Sequence, residues 1–147
     1  MDLTGEYRIP APREAVWAAL NNPEILKACI PGCEELTKTS DTEMKAVAVT
    51  KIGPVKARFK GNVHLTDLDP PNGYKISGEG DGGVAGFAKG GATVALTEKD
   101  GGTLLTYNVE AQIGGKLAQL GQRLVNGAAK KLADDFFRNF AATVEKS

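Results

Sequence analysis

After Gly114-Gly115 the apolar residues of this chain stop alternating and begin to recur at every third or fourth position: Leu117, Leu120, Leu124, Ala128, Leu132, Phe136 and Phe140. That spacing lines one face of an α-helix. It predicts one long helix of about thirty residues, reaching about 45 Å. Burying the six large side chains of the stripe stabilises a fold by roughly 9–18 kcal/mol before chain entropy is subtracted. A helix with such a stripe needs a broad apolar surface to lie on, and the preceding residues have the pattern of a sheet.

From Glu34 to Ile113 the chain reads as strand after strand, punctuated by Ser40-Asp41, Gly53-Pro54, Asp69-Pro70-Pro71-Asn72-Gly73, Asp81-Gly82-Gly83 and Asp100-Gly101-Gly102. The clearest strand sets Val55, Ala57, Phe59, Gly61, Val63 and Leu65 against Lys56, Arg58, Lys60, Asn62, His64 and Thr66. Alternation of this kind belongs to an antiparallel sheet that is wet on one side. Leu3, Gly5, Tyr7 and Ile9 alternate in the same way before Pro10 and Pro12 end that run. Pro12 suits the first turn of a short helix through Leu20, and Asn22-Pro23-Glu24 reads as cap, first-turn proline and acid of a second, ending before Pro31-Gly32. One α+β architecture accommodates this order: a seven-stranded curved antiparallel sheet, two short helices after strand one, and a long C-terminal helix gripped by the sheet. The 147 residues form a single domain, 1–147, with no linker or repeat.

The inward positions of this helix-grip arrangement are often small, with Ala46, Ala48, Ala57, Gly61 and Gly78 among them. The helix adds Gly121 and Gly127, each costing about 1 kcal/mol relative to alanine, which implies close packing or room for a ligand. An undersized core leaves volume at a cost of about 24 cal/mol per Å³ unless something occupies it. The expected cavity lining is Ala46, Ala48, Ile52, Phe59, Val63, Tyr74, Ile76, Phe87, Leu105, Tyr107, Leu120, Gly121, Leu124 and Phe136. Such a lining selects an apolar molecule, oriented by the hydroxyl of Tyr74 or Tyr107, with Phe87 and Lys89 at the mouth. Ordinary core packing, with glycines that let helix and sheet approach, is the alternative reading of the same pattern.

Other chemistry is poorly provided for. Eighteen basic residues balance eighteen acidic ones, so no field steers the chain to nucleic acid. His64, the single histidine, falls on the polar strand face without partners for a triad or a metal site. Cys29 and Cys33 lack a second ligand pair for zinc and read as structural thiols. Gly78-Glu79-Gly80-Asp81-Gly82-Gly83 leads into a strand and reads as a flexible turn, not as a phosphate loop. No catalytic residue and no metal ligand is expected. Lys130, Lys131, Asp134, Asp135 and Arg138 read as ion pairs on the helix exterior. Lys51, Lys56, Arg58 and Lys60 beside Gly53-Pro54 suit either a solvated outer face or an anionic leaflet. With no apolar run long enough to span a bilayer and no secretory leader, the expected location is the cytoplasm, with peripheral contact at the inner face of the membrane.

Several ordered segments resemble the carbon monoxide dehydrogenase G-subunit family, a branch of the START-like (SRPBCC) helix-grip superfamily. They are Asn22-Pro23-Glu24 leading to Cys29-Ile30-Pro31-Gly32-Cys33-Glu34-Glu35-Leu36, then Lys51-Ile52-Gly53-Pro54-Val55-Lys56 with Phe59-Lys60-Gly61, then Gly86-Phe87-Ala88-Lys89-Gly90. Thr103-Leu104-Leu105-Thr106-Tyr107 and the run Gly114-Gly115-Lys116-Leu117 to Arg123-Leu124 complete the set, which covers nearly the whole chain. The resemblance implies the fold derived above and a non-catalytic accessory role beside a molybdenum hydroxylase. It also implies a bound isoprenoid quinone or lipid and a link between that enzyme and the membrane. Longer relatives carry a further C-terminal segment suited to anchoring, whereas this sequence stops at Val144-Glu145-Lys146-Ser147. A maturation or interaction factor without ligand transport is the second expectation. A cyclase-like enzyme on the same fold, needing an acid or base from Tyr74, Tyr107 or Arg123, is the third.

Overall fold

A computed structural model describes residues 1–145. Lys146 and Ser147 lie outside the described residues. Strand β1 (Asp2–Ile9) is followed by α1 (Arg13–Leu20) and α2 (Pro23–Cys29), then by β2 (Cys33–Ser40), β3 (Glu43–Ile52), β4 (Val55–Asp69), β5 (Gly73–Asp81), β6 (Phe87–Lys99) and β7 (Gly102–Gly114). Helices α3 (Lys116–Gln119) and α4 (Gln122–Glu145) follow. The strands make one antiparallel sheet in the order β1-β7-β6-β5-β4-β3-β2. This is the helix-grip fold expected from the alternation of strands and the terminal helical stripe.

The sheet order explains the two short helices. Strands β1 and β2 occupy opposite edges, six strand spacings or about 29 Å apart, and α1 and α2 carry the chain across. Asn22 starts α2 as its sequence implies: its Oδ1 accepts from the backbone N–H of Glu24 at 3.0 Å and of Ile25 at 3.4 Å, with Pro23 in the first turn. Gly32 then passes against β3 with φ +75°, where an added Cβ would lie 2.1 Å from the Val49 carbonyl oxygen. Only glycine fits that approach.

The terminal helix differs from the expected single run. The chain breaks at Gly121, whose φ of +93° is left-handed, so Leu117 sits in the one-turn α3 and a new helix begins at Gln122. The break resets the helical phase. Val125, Phe140 and Val144 are the buried residues of α4, and Ala133, Phe136, Phe137 and Ala141 pack beside them, whereas Leu124 is exposed. Neither helix glycine marks close packing: an added Cβ at Gly121 or Gly127 would meet nothing within 4 Å. Gly121 serves the turn.

Helix α4 is held on the concave face mainly by aromatic contacts. Phe137 stacks on Tyr7 at 4.6 Å and on Tyr107 at 5.4 Å between ring centroids, and within α4 Phe136 stacks on the buried Phe140 at 5.6 Å. The Tyr7 hydroxyl donates to the Asp134 carboxylate, which also pairs with Lys130 at 3.0 Å. Asp134, expected purely on the helix exterior, therefore ties α4 to β1; Lys131–Asp135 and Arg138–Asp135 remain surface pairs. At the C-terminal end Asn139 Nδ2 donates to the Cys29 carbonyl at 3.1 Å, joining α4 to α2. Both cysteines are free; the buried Cys29 Sγ lies 3.6 Å from Thr143 Oγ1.

Burial pushes the phenols of Tyr74 and Tyr107 and the thiol of Cys33 above their ordinary values, the last despite lowering contributions from the Glu35 backbone and the Lys27 charge. In the unfolded chain these groups lose their protons earlier than in the folded one. Stability is therefore expected to hold near neutrality and to fall as pH climbs through the ordinary thiol and phenol range, about 8.5–10. Urea midpoints measured across that range check the sign, and a midpoint that rises with pH contradicts it. The helix phase has its own test. Phe140→Ala should cost about 3–5 kcal/mol in urea unfolding. Leu124→Ala should stay within about 0.5 kcal/mol.

Candidate functional site

The inward face of the sheet is graded in size from one end to the other. Cross-strand register places Tyr7, Leu105 and Leu96 in one row, and Tyr107, Val94 and Tyr74 in the next. A third row runs Leu3, Val109, Ala92, Ile76 and Leu65. The fourth contains Ala111, Gly90, Gly78, Val63 and Met44, and the fifth Ala88, Gly80, Gly61 and Ala46. Aromatic and leucine side chains thus fill one end, where α4 lays its phenylalanines. Toward the other end alanine and glycine leave the surface concave.

The result is an open trough of about 370 Å³ over β3 to β7. This volume lies within the range of small-molecule sites, about 300–1,000 Å³. Ala46, Ala48, Phe59, Val63, Ile76, Val109 and Ala111 line it with the glycines of β4, β5 and β6. The side chains directed into it are hydrocarbon. Asn62, Glu79 and Lys89, at its margin, share one cross-strand row on the outer face and are exposed. The ladder bonds the backbone of the floor to itself, so the trough offers an apolar shape with few directional contacts.

Five residues expected to line a cavity are here: Ala46, Ala48, Phe59, Val63 and Ile76. Tyr74, Leu105 and Tyr107 are buried at the packed end instead, where Trp17 meets Tyr74 edge-on at 5.3 Å and Tyr107 stacks on Phe137. Phe136 belongs to the same packed end. Ile52 is half-buried at the end of β3, opposite Val55, and Leu120 is half-buried beside the Gly121 break. Leu124 is exposed against the β3–β4 turn, where an added Cβ at Gly53 would stand 3.0 Å from its Cδ2. Phe87 is exposed at the start of β6 and borders a second depression of about 680 Å³ with Val84, Lys89 and Gly115.

Sequence reasoning overlooks the contributions of Gly80, Ala88, Gly90, Ala92, Val109 and Ala111. Gly78 is expected as an inward strand position, while the glycine-rich context also reads residues 78–83 as a flexible turn; Gly78 and Gly80 are regular residues of β5. Their alternation with Ser77, Glu79 and Asp81 is the signal that identifies them, since glycine can occupy an inward strand position as well as a turn. The glycines also have a structural reason to be small: an added Cβ would approach the Asn62 carbonyl oxygen to 2.8 Å at Gly78 and the Glu110 carbonyl oxygen to 2.1 Å at Gly90. The alanines already carry a Cβ and border the open trough, which makes them the informative positions to enlarge.

The outer face holds a broader depression of about 840 Å³ around Gly91, bordered by Lys75, Ser77, Lys89, Thr93, Asn108 and Glu110. Its mixed polar side chains make it a solvated saddle produced by sheet twist. His64 lies on this face with Nδ1 3.3 Å from Glu43 Oε1. Tyr74, Tyr107 and Arg123, the residues a cyclase-like reaction would need, do not line the trough. At neutral pH the two phenols keep their protons and offer no base. Among the described residues no cluster of three or more His, Cys, Asp or Glu side chains is placed to hold a metal ion, and no helix is long and apolar enough to cross a membrane.

The geometry agrees with comparison to known proteins. A conserved protein from Geobacillus kaustophilus has a crystal structure that aligns over 100% of this chain and 97% of its own, with a TM-score of 0.94 and 36% identity. An uncharacterised protein from Rhizobium leguminosarum aligns over 100% of this chain and 95% of its own at TM-score 0.76 and 18% identity. Ara h 8.0201 aligns over 100% and 99% at TM-score 0.69 and 17% identity, and these two more distant likenesses bear on the fold alone. No curated protein matches. The model of the carbon monoxide dehydrogenase G-subunit (CoxG) family matches residues 5–145, and the chain belongs to that family.

Proposed function

We propose that this protein is a non-catalytic accessory subunit of a carbon monoxide dehydrogenase or related molybdenum hydroxylase. In this reading it holds an isoprenoid quinone or a lipid in the trough and relays it between that enzyme and the membrane. The observation that carries the reading is the gradient of inward side chains, which ends in alanine and glycine where a filled core would need leucine or phenylalanine. A hydrocarbon guest lying over Ala46, Ala88 and Ala111 removes apolar surface from water on both partners, at about 25 cal/mol per Å². Membership in a family described as a dehydrogenase component supports the choice of partner, and the apolar lining supports the choice of guest.

Organic extraction of the purified protein followed by mass spectrometry should release a hydrophobic molecule. Added menaquinone or ubiquinone analogues should raise the melting temperature; saturation at a hundredfold excess over Kd contributes about 2.7 kcal/mol, or roughly 5–10 °C for a domain of this size. The double variant Ala46→Leu/Ala111→Leu fills the trough from positions that tolerate a larger side chain. It should remain folded, lose the ligand-dependent shift and bind the analogue at least about tenfold more weakly. If nothing co-extracts and no analogue shifts the native protein, the carrier reading fails. A plugged variant that still captures the dehydrogenase in full and supports its activity would instead favour an interaction or maturation factor.

A further inference from the structure

Large exposed apolar side chains are concentrated at one end of the sheet. Val84 is 86% exposed, Phe87 47% and Leu124 42%; Leu68, at 43%, belongs to the opposite end. The antiparallel order brings the β3–β4 turn at Gly53-Pro54, the β5–β6 connection and the β7–α4 connection to this same end. The smallest inward rows of the trough, ending at Ala88 and Gly80, adjoin it.

Val84 is not exposed through slack in the chain. It stands at the centre of a short 3-10 turn, Gly83–Ala85, whose neighbour Ala85 is buried. Asp81 Oδ1 accepts from the Gly83 N–H at 2.8 Å, Gly82 N–H donates to the Gly86 carbonyl at 2.8 Å, and Gly86 N–H donates to the Gly83 carbonyl at 3.1 Å. The turn is stapled with its valine pointing into water, and the exposed Phe87 borders the same depression, so the two make an apolar pair held at the surface.

The charge at this end fits one kind of partner. Segments 51–56, 81–89 and 114–124 carry the basic residues Lys51, Lys56, Lys89, Lys116 and Arg123 and a single acid, Asp81, in a chain whose total charge balances. All five cations are exposed, and none is in an ion pair among the described residues. Separate apolar tips carried on loops and ringed by unpaired cations suit a fluid anionic sheet of headgroups, into which each tip inserts on its own. A protein partner would call for a continuous apolar core with fewer lysines.

We propose that this end of the molecule docks on an anionic phospholipid bilayer, with Val84 and Phe87 entering the headgroup–acyl boundary and Lys51, Lys56, Lys116 and Arg123 facing the phosphates. Docking in this orientation turns the small-residue end of the trough toward the lipid. The inference deepens the membrane side of the reading above but stands on residues outside the trough.

The test uses the full chain with vesicles of phosphatidylcholine alone and of phosphatidylcholine containing phosphatidylglycerol, separated by sedimentation. The native protein should partition onto the anionic vesicles, release with added salt, and ignore the neutral ones. Val84→Glu alters a side chain that supports nothing in the fold, so its urea midpoint should match the native one while its partition falls roughly tenfold. Lys51→Glu/Lys56→Glu should lower partition by at least about tenfold. Absence of partition by the native protein, or a Val84→Glu variant that partitions equally well, overturns the proposal. So does loss of dehydrogenase capture by Val84→Glu with no vesicle binding by the native chain, which would assign the surface to a protein. Ala46→Leu/Ala111→Leu should partition like the native chain even if no guest binds, so a failure of docking and a failure of the carrier reading remain distinct.

Discussion

The structure depends on the contact between the aromatic face of α4 and the large-residue end of the concave sheet. Phe137 lies against Tyr7 and Tyr107, and Phe140 is fully buried beneath α1 and α2 in the main cluster with Val16, Leu20, Leu26 and Cys29. This contact brings together residues from both ends of the chain and gives the sheet an inside. The bond from Tyr7 to the half-exposed Asp134 adds a polar tie between α4 and β1 beside the aromatic contact. Gly5 makes room for the aromatic contact, since a Cβ there would stand 2.6 Å from Tyr107 Oη.

Because the helix is committed to that end, the rest of the concave face has to manage without it. The sheet continues past the last aromatic row with shrinking side chains, and the two regions divide the labour between them. One end supplies cohesion and the other remains unfilled. A chain of this size has little stability to spare, about 5–15 kcal/mol, so an exposed apolar floor persists only because the aromatic end holds the fold independently of whatever occupies the trough. The glycines at 78 and 90 serve two purposes at once, permitting close backbone approach in the coiled sheet and removing side chains from the floor. Ala46, Ala88 and Ala111 continue the same small-residue floor and leave it concave.

Much of this architecture is legible before any coordinates. Alternation through β4 gives both its faces, and Asn22-Pro23-Glu24 marks the start of α2 by chemistry that operates over three residues. Features decided by distant neighbours are less accessible. Gly121 in a helical stripe looks like a weak helix residue, yet its positive φ shifts the phase of everything after it, so Leu124 turns outward and Val125 inward. Tyr74 and Tyr107 have the size and hydroxyl of ligand contacts, but their positions in the second inward row, visible only from register across three strands, bury them at the packed end, Tyr74 against Trp17 of α1 and Tyr107 against Phe137 of α4. The trough floor is similarly hidden, because Gly78 and Gly80 become part of a surface only when aligned with Val63, Gly90 and Ala111.

The pairing of the first strand with the last has a consequence for how the protein is made. Among the described residues, 2–9 pair with 103–110 alone, and the Met1 nitrogen donates to the Ala111 carbonyl at 2.7 Å. On the ribosome the first strand therefore emerges long before its partner exists, and at about 5–20 residues per second it waits several seconds with an unsatisfied edge. The meander from Cys33 onward can assemble hairpin by hairpin as it leaves the exit tunnel, whereas the N-terminal segment joins last. Its Asp2, Thr4, Glu6 and Arg8, spaced between the apolar residues, keep that waiting ribbon soluble until translation delivers its neighbour.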